Sequence, residues 1–577
     1  MPRLLTIAAV LATTLPLAAQ SAAPDTIYYH GHILTGVGLG QGRLDFVSAI
    51  AMRDGIITAT GTDSSLLKIK GPKTQLVDLG GAFAMPGIND AHTHLADAGR
   101  LQFAVDLTSS KSLQDMLERI ERAAKVAPAG KWLQGGGWDH TLWPEKTLPT
   151  RKDLDAVTHG HPAFFERVDG HIAIANTAAL EAAGITPSTP DPQGGRFDHD
   201  TAGELTGIVR EDPAMEIITA KIPPPTPAER KRALSLAMAD ASIHGVTSVQ
   251  DYSEWDDFLA MEQLEREDHL PVRVSEWLTF NDSIETLKEH RAHHSADDRM
   301  LHTGMLKGFM DGSLGSRTAA LNAPYSDDPG NSGIPRYDQA KLDAMTKERA
   351  AAQFQMGFHA IGDRAVEMAL NAFQSATAPG ADCGRLEIIA DASLEDLMHR
   401  CLNRPRIEHS QVLDAPDFAR YKALGVIASM QPSHLLTDMA WAQQRLGHDR
   451  ASYSYAWKSF LNHGVPLAFG TDYPVEPITP FRGIYAAVTR ENEAGTQSYF
   501  PEEKLTIAQA LYAYTQGSAY AEFSESYKGM LAPGMVADFV VLDRDLTRIP
   551  AHDILGTKVL RTVVAGHPTY FSNVVTR

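Results

Sequence analysis

The stretch FAMPGINDAHTH, Phe83–His94, is an apolar run broken by Pro-Gly that ends in two histidines one residue apart. In an extended strand successive side chains alternate between faces, so His92 and His94 point the same way. The pair suits half of a metal site, or two polar residues that happen to border a loop. With 23 histidines in the chain, close pairs also arise by chance. The meaning of this one depends on what recurs downstream.

Seven further segments share its character, being short, apolar or β-branched, and followed by loop residues. They are GVTSVQDY (245–252), PVRVSEWLTF (271–280), MLKGFMDGS (305–313), QMGFHAIGD (355–363), RPRIEHS (404–410), GVIASMQPSH (425–434) and VPLAFGTDYP (465–474). Most are followed by helix-like sequence, and strand–helix alternation predicts an α/β fold with a parallel sheet. Eight such units close a (β/α)8 barrel. The barrel is expected over residues 85–525. The interval between the first two strands, about 100–242, is too long for one crossover and reads as an insertion that walls or covers the barrel mouth. Both ends of the chain look β-rich: DTIYYHGHILTG and SAIAMRDGIITATG near the start, ADFVVLDRD and VLRTVVAGHPTYF near the end. Residues 24–84 and 526–577 are the expected β-sheet parts outside the barrel.

The 577 residues carry a net charge of −19, which opposes non-specific binding to nucleic acid or anionic membranes. Residues 1–23 have the layout of a secretory signal peptide: Arg3, an apolar segment from Leu4 to Ala19, then small residues. A periplasmic or secreted protein with no membrane anchor after cleavage is expected. Cys383 and Cys401 are the only cysteines, and in an oxidising compartment they are candidates for pairing.

In a barrel of this kind the chemistry sits at the C-terminal ends of the strands. Those ends hold His92, His94, Lys307, His359, His409 and Asp472. Four imidazoles and a carboxylate are donors preferred by Zn²⁺ and similar divalent ions. Lys307 sits in an apolar strand, where burial favours the neutral amine. Such an amine reacts with CO₂ to give an anionic carbamate able to bridge two metals.

The ordered set HTH, LKGFMDGSLGSRTAAL, HAIGD, RIEH and GTDYP resembles the amidohydrolase superfamily, in its YtcJ-like branch, to which N-substituted formamide deformylase belongs. GGGWDHTLWPEKTLPTRKDLD, RVDGHIAIANTAALEAAGI and DPQGGRFDHDTAGELTGIVRED in the insertion, and KGMLAPGMVADFVVLD near the end, extend the resemblance over nearly all of the chain after the leader. The resemblance implies that His92, His94 and Asp472 hold one metal, and that carboxylated Lys307 bridges to a second held by His359 and His409. Whether one ion or two are bound is left open. It further implies that the β-rich termini join into a small β-sandwich.

Chemically, such a site hydrolyses a C–N bond with activated water, Asp472 serving as general base and then general acid. The expected substrate is a small-molecule amide of N-acyl or N-formyl type. Esterase, lactonase or cyclic-amide hydrolase activity is the alternative on the same fold, and a non-catalytic exported binding protein a third. Candidate substrate contacts are His171, His434, Arg317 as a carboxylate clamp, and Trp138, with Trp143, as an aromatic wall. A structural salt bridge competes for Arg317, and plain packing competes for the tryptophans. Asp311 is expected to shape the loop after the fourth strand. Glu408, alternating with His409, is expected to point away from the barrel interior. The oligomeric state, including a homo-oligomer, is not fixed by these features.

Overall fold

The computed structural model describes residues 23–168, 172–192, 195–378, 383 and 401–572. Residues 1–22, which carry most of the expected signal peptide, lie outside the described residues.

Eight parallel strands form one sheet in sequential order: β1 (Ile88–Thr93), β2 (Val246–Asp251), β3 (Arg273–Thr279), β4 (Leu301–Phe309), β5 (Met356–Ala360), β6 (Arg406–His409), β7 (Ile427–Met430) and β8 (Leu467–Phe469). Seven fall within the segments picked out above; β4 starts at Leu301, four residues before its segment MLKGFMDGS, and shares Met305–Phe309 with it. They were legible because a parallel strand is covered on both faces and reads as a nearly unbroken apolar run; every residue of β1, β2, β6, β7 and β8 is buried. Helices follow the strands and pack their apolar stripes on the sheet. In Asp363–Ala376, for instance, Val366, Ala369, Leu370 and Phe373 recur every three or four residues and are buried.

The barrel closes between β1 and the segment just after β8. The His94 amide donates to Tyr473 O at 2.7 Å, and the Asp472 amide donates to His92 O at 2.8 Å. The Asp90 carboxylate accepts from Thr471 Oγ1 at 2.6 Å, Thr471 N at 2.9 Å and His92 N at 3.1 Å. Gly470 lies in this seam, where a Cβ would come within 2.6 Å of both Asp90 Oδ1 and His92 N.

The ends of the chain build two further sheets. One joins Thr26–Tyr29, Ala49–Arg53, Ile56–Gly61 and Gln75–Asp78; the other pairs Phe83–Pro86 with Phe539–Leu542 and so unites N-terminal and C-terminal strands. Tyr28, Ile50 and Met52 from the first sheet share a core with Ala84, Phe539 and Val563 from the second, as a sandwich requires.

The long excursion between β1 and β2 contains a six-stranded mixed sheet with its own two hydrophobic clusters. Its last helix, Pro227–Ile243, packs against Leu95–Leu101 and leads into β2. Gly99 permits the close crossing, since a Cβ there would meet Ala233 O at 2.0 Å. Cys383 and Cys401 are joined by a disulfide. Among the described residues, no helix is long and apolar enough to cross a membrane.

Candidate metal centre

Because β1–β8 run in parallel, their C-terminal ends share one face, and Asp472 is the hub of what gathers there. Its Oδ1 lies 3.1 Å from His94 Nε2 and 3.5 Å from His92 Nε2, while its Oδ2 lies 3.5 Å from His434 Nε2. Two sets of converging donor atoms result, His92–His94–Asp472 and His409–His434–Asp472. Lys307 Nζ is 2.9 Å from His92 Nε2. His359 sits beside these sets, its ring 4.4 Å from that of His409 and its Nε2 3.0 Å from Gly312 O. Six of the sequence-derived ligand candidates are therefore brought together, and His434, expected as a substrate contact, joins them.

The backbone explains how so many side chains reach the interior. His409 has φ 70° and Asp472 φ 62°, left-handed values that are uncommon for non-glycine residues. At His409 this breaks the strand alternation, with the result that Glu408 also faces inward. Glu408 is fully buried and its Oε2 lies 3.0 Å from His92 Nδ1, so the expectation that it points away from the barrel is corrected. It is a carboxylate placed to orient a candidate ligand histidine. Arg406, equally buried, holds Glu408 through Nε at 2.9 Å and Nη2 at 3.2 Å. The sequence signal was present in RIEH, but a regular strand would have sent Glu408 and His409 to opposite faces.

Burial, reinforced by the Lys307 charge, holds the His92 imidazole well below its usual range; burial, then the neighbouring His359 ring, does the same to His409. Burial also lowers His359 to about 3. All three are thus neutral, as ligands must be. Burial lowers Lys307 to about 8 against the opposing pull of Glu408 and Asp472. For Asp472 burial alone would raise the carboxyl, but the imidazole rings around it, His94 first and then His409 and His434, outweigh burial and hold it well below the carboxylate range.

The donor set fits a divalent ion. His94 Nδ1 lies 3.2 Å from the Tyr252 carbonyl, to which it donates, leaving a lone pair on Nε2 that faces a carboxylate oxygen. Two acceptors turned toward each other call for a cation between them. Ligand atoms at about 2.1 Å from a tetrahedral metal stand about 3.4 Å apart, close to the separations around Asp472. His409 Nδ1 and His434 Nε2 are buried with no hydrogen-bond partner.

The amidohydrolase family model matches residues 75–570. The chain belongs to the amidohydrolase family. It is accordingly a hydrolase of carbon–nitrogen bonds. It is similar to YtcJ of Bacillus subtilis (strain 168), with 31% identity over 94% of this chain and 99% of that one. It is also similar to N-substituted formamide deformylase of Arthrobacter pascens, with 26% identity over 91% and 95% of the two chains. Among solved structures, a metal-dependent hydrolase of Pyrococcus horikoshii OT3 superposes with a TM-score of 0.75 at 29% identity, covering 91% of this chain and 99% of that one.

Other candidate contacts are placed differently in this amidohydrolase. Arg317 gives its guanidinium to Asp327, with Nε–Oδ1 3.2 Å and Nη2–Oδ2 2.8 Å, which is the salt bridge that competed with the clamp reading. Trp138 is fully buried in the insertion's own core and donates its indole N–H to Phe165 O. His171 lies outside the described residues. Asp311 ties two loops together by accepting from the amides of Ala320, Ile361 and Gly362.

Proposed function

We propose that this amidohydrolase is an exported enzyme that cleaves the C–N bond of an N-acyl or N-formyl amide at a Zn²⁺ centre. His92, His94 and Asp472 would hold one ion; His359, His409 and carboxylated Lys307 provide for a second. The observation that carries the reading is the convergence of three imidazole Nε2 atoms on one buried carboxylate at the C-terminal mouth of the barrel. The similarity to a protein named N-substituted formamide deformylase supports the substrate class.

A bound divalent ion supplies Lewis acidity, lowering the pKa of a coordinated water toward neutrality and polarising the substrate carbonyl. The chain's own groups do the rest. Asp472, kept ionised, takes a proton from the attacking water and delivers it to the departing nitrogen. The carbonyl carbon gains OH and the nitrogen gains H, giving a carboxylic acid and an amine. His434, whose Nε2 faces Asp472 Oδ2 at 3.5 Å without a hydrogen bond, donates to the carbonyl oxygen as negative charge grows there. Glu408 and Arg406 keep the His92 ring in place. Lys307, partly neutral near physiological pH, adds to CO₂ with loss of a proton.

A panel of N-formyl and N-acyl amines set against matching esters and lactones tests the substrate assignment. Turnover of amides supports it, and turnover of esters with every amide inert refutes it. Export rests on residues 1–23 and agrees with the Cys383–Cys401 disulfide, a bond that persists in oxidising compartments. Mass spectrometry of the protein from a periplasmic or culture fraction should find a new N-terminus near Ala19–Ala23. Recovery of the intact leader in the cytosol would refute export.

A further inference from the structure

On the face of the barrel opposite the catalytic mouth, helix Trp255–Arg266 and the loop leading into β4 bring together an imidazole and three carboxylates. His294 Nδ1 lies 2.8 Å from Glu262 Oε1, a hydrogen bond in which the ring N–H donates. That fixes the tautomer and leaves the lone pair on Nε2. Nε2 is buried and has no hydrogen-bond partner. It faces Asp298 Oδ2 at 3.5 Å and Glu265 Oε2 at 3.8 Å. These separations are too long for N–H···O bonds, which run to about 3.2 Å. They suit ligand atoms sharing a small tetrahedral ion, which stand about 3.4 Å apart.

We infer that His294, Glu265 and Asp298 form a second divalent-metal site, of a Zn²⁺-like N/O type, remote from the amide-cleaving centre. The three donor atoms lie within 4.8 Å of one another. Glu262 acts from behind, orienting His294 as a carboxylate orients a metal-bound histidine. Its other oxygen is engaged by His293 Nε2 at 3.2 Å, with Arg266 Nη1 at 3.8 Å. The alternative is an imidazolium at His294 shared among the carboxylates. An ion would tie the C-terminal end of one barrel helix to the loop that starts β4, acting as a structural clamp.

The test uses the full-length protein loaded with Zn²⁺, passed through a desalting column and assayed for metal by elemental analysis. His294→Gln and Asp298→Asn should each hold one equivalent less than the parent while hydrolysing the same substrate at the parent rate. Glu265→Gln is a third route to the same readout if either variant folds poorly, as judged by circular dichroism. Co²⁺ substitution gives a second readout: the visible absorption assigned to this site should vanish in the variants while that of the catalytic centre persists. Metal content and Co²⁺ spectra identical in parent and folded variants would overturn the site and leave the imidazolium cluster. Replacing His92 and His94 removes a different equivalent, so failure of one site is distinguishable from failure of the other.

Discussion

Substituting Gly470 by alanine tests how the barrel seam sets the geometry of the metal centre. The added Cβ would stand 2.6 Å from His92 N and from Asp90 Oδ1, and 3.1 Å from Ala91 N, against ordinary contact beginning at 3.4 Å. No flexible side chain can simply swing aside, because two of the three atoms are backbone and Asp90 is held by three hydrogen bonds. Relief requires β1 and the segment after β8 to separate by about 0.8 Å, which pulls His92 away from Asp472. Overpacking of a buried seam costs about 1–3 kcal/mol. A misplacement of about 1 Å between catalytic groups costs about 10²-fold in rate. Gly470→Ala should therefore lower the midpoint of thermal unfolding and reduce kcat/KM by about two orders of magnitude, with weakened metal retention. Gly330→Ala, where the new Cβ meets nothing within 4 Å, is the control and should leave all three unchanged. Parent-like stability, metal content and rate in Gly470→Ala would refute the idea that this seam positions the site.

Other consequences follow from single side chains. Asp472→Asn should lower kcat by about 10²–10⁴-fold, the range for loss of a general acid–base group, and near-parent turnover would remove Asp472 from the proton transfers. Glu408→Gln should weaken metal affinity by about 10–100-fold through loss of the orienting carboxylate, measured by competition with a chelator; unchanged affinity would make Glu408 purely structural. Glu276 is buried, and burial followed by the Asp251 charge raises its carboxyl well above the usual range. The folded state thus favours the protonated form, so its stabilisation is complete below the ordinary glutamate range and is lost as pH rises toward the raised value. Glu276→Gln keeps an acceptor for the Ser253 amide at 2.8 Å and cannot ionise, so its melting temperature should gain on the parent more at pH 8.5 than at pH 5. Equal differences at both pH values would show that Glu276 does not titrate between the folded and unfolded states in this range.

The barrel was readable in the sequence because a strand covered on both sides leaves a short apolar run, and eight such runs occur in order. The ligand candidates were readable because the same fold places chemistry at one end of each strand. What escaped was local backbone geometry and side-chain commitment. Glu408 was misplaced because the left-handed turn at His409 breaks the alternation that a strand pattern assumes. Arg317 resembled a clamp because no pattern in the chain announces that Asp327, ten residues away, takes its guanidinium. Trp138 could not be told from a pocket wall because the insertion's core is invisible until its six strands are assembled. The His294 cluster was missed since its members come from a helix and a loop, with no motif spacing to connect them.

The central claim is that His92 and His94, with Asp472, hold a catalytic divalent ion. The most direct measurement is elemental analysis of the purified parent and of a His92→Asn/His94→Asn variant, paired with activity after chelation and after metal is restored. The predicted result is metal bound in the parent, loss of at least one equivalent with activity in the folded variant, and recovery of the chelated parent on adding Zn²⁺. Equal metal content in parent and variant, or full activity after complete removal of metal, would contradict it.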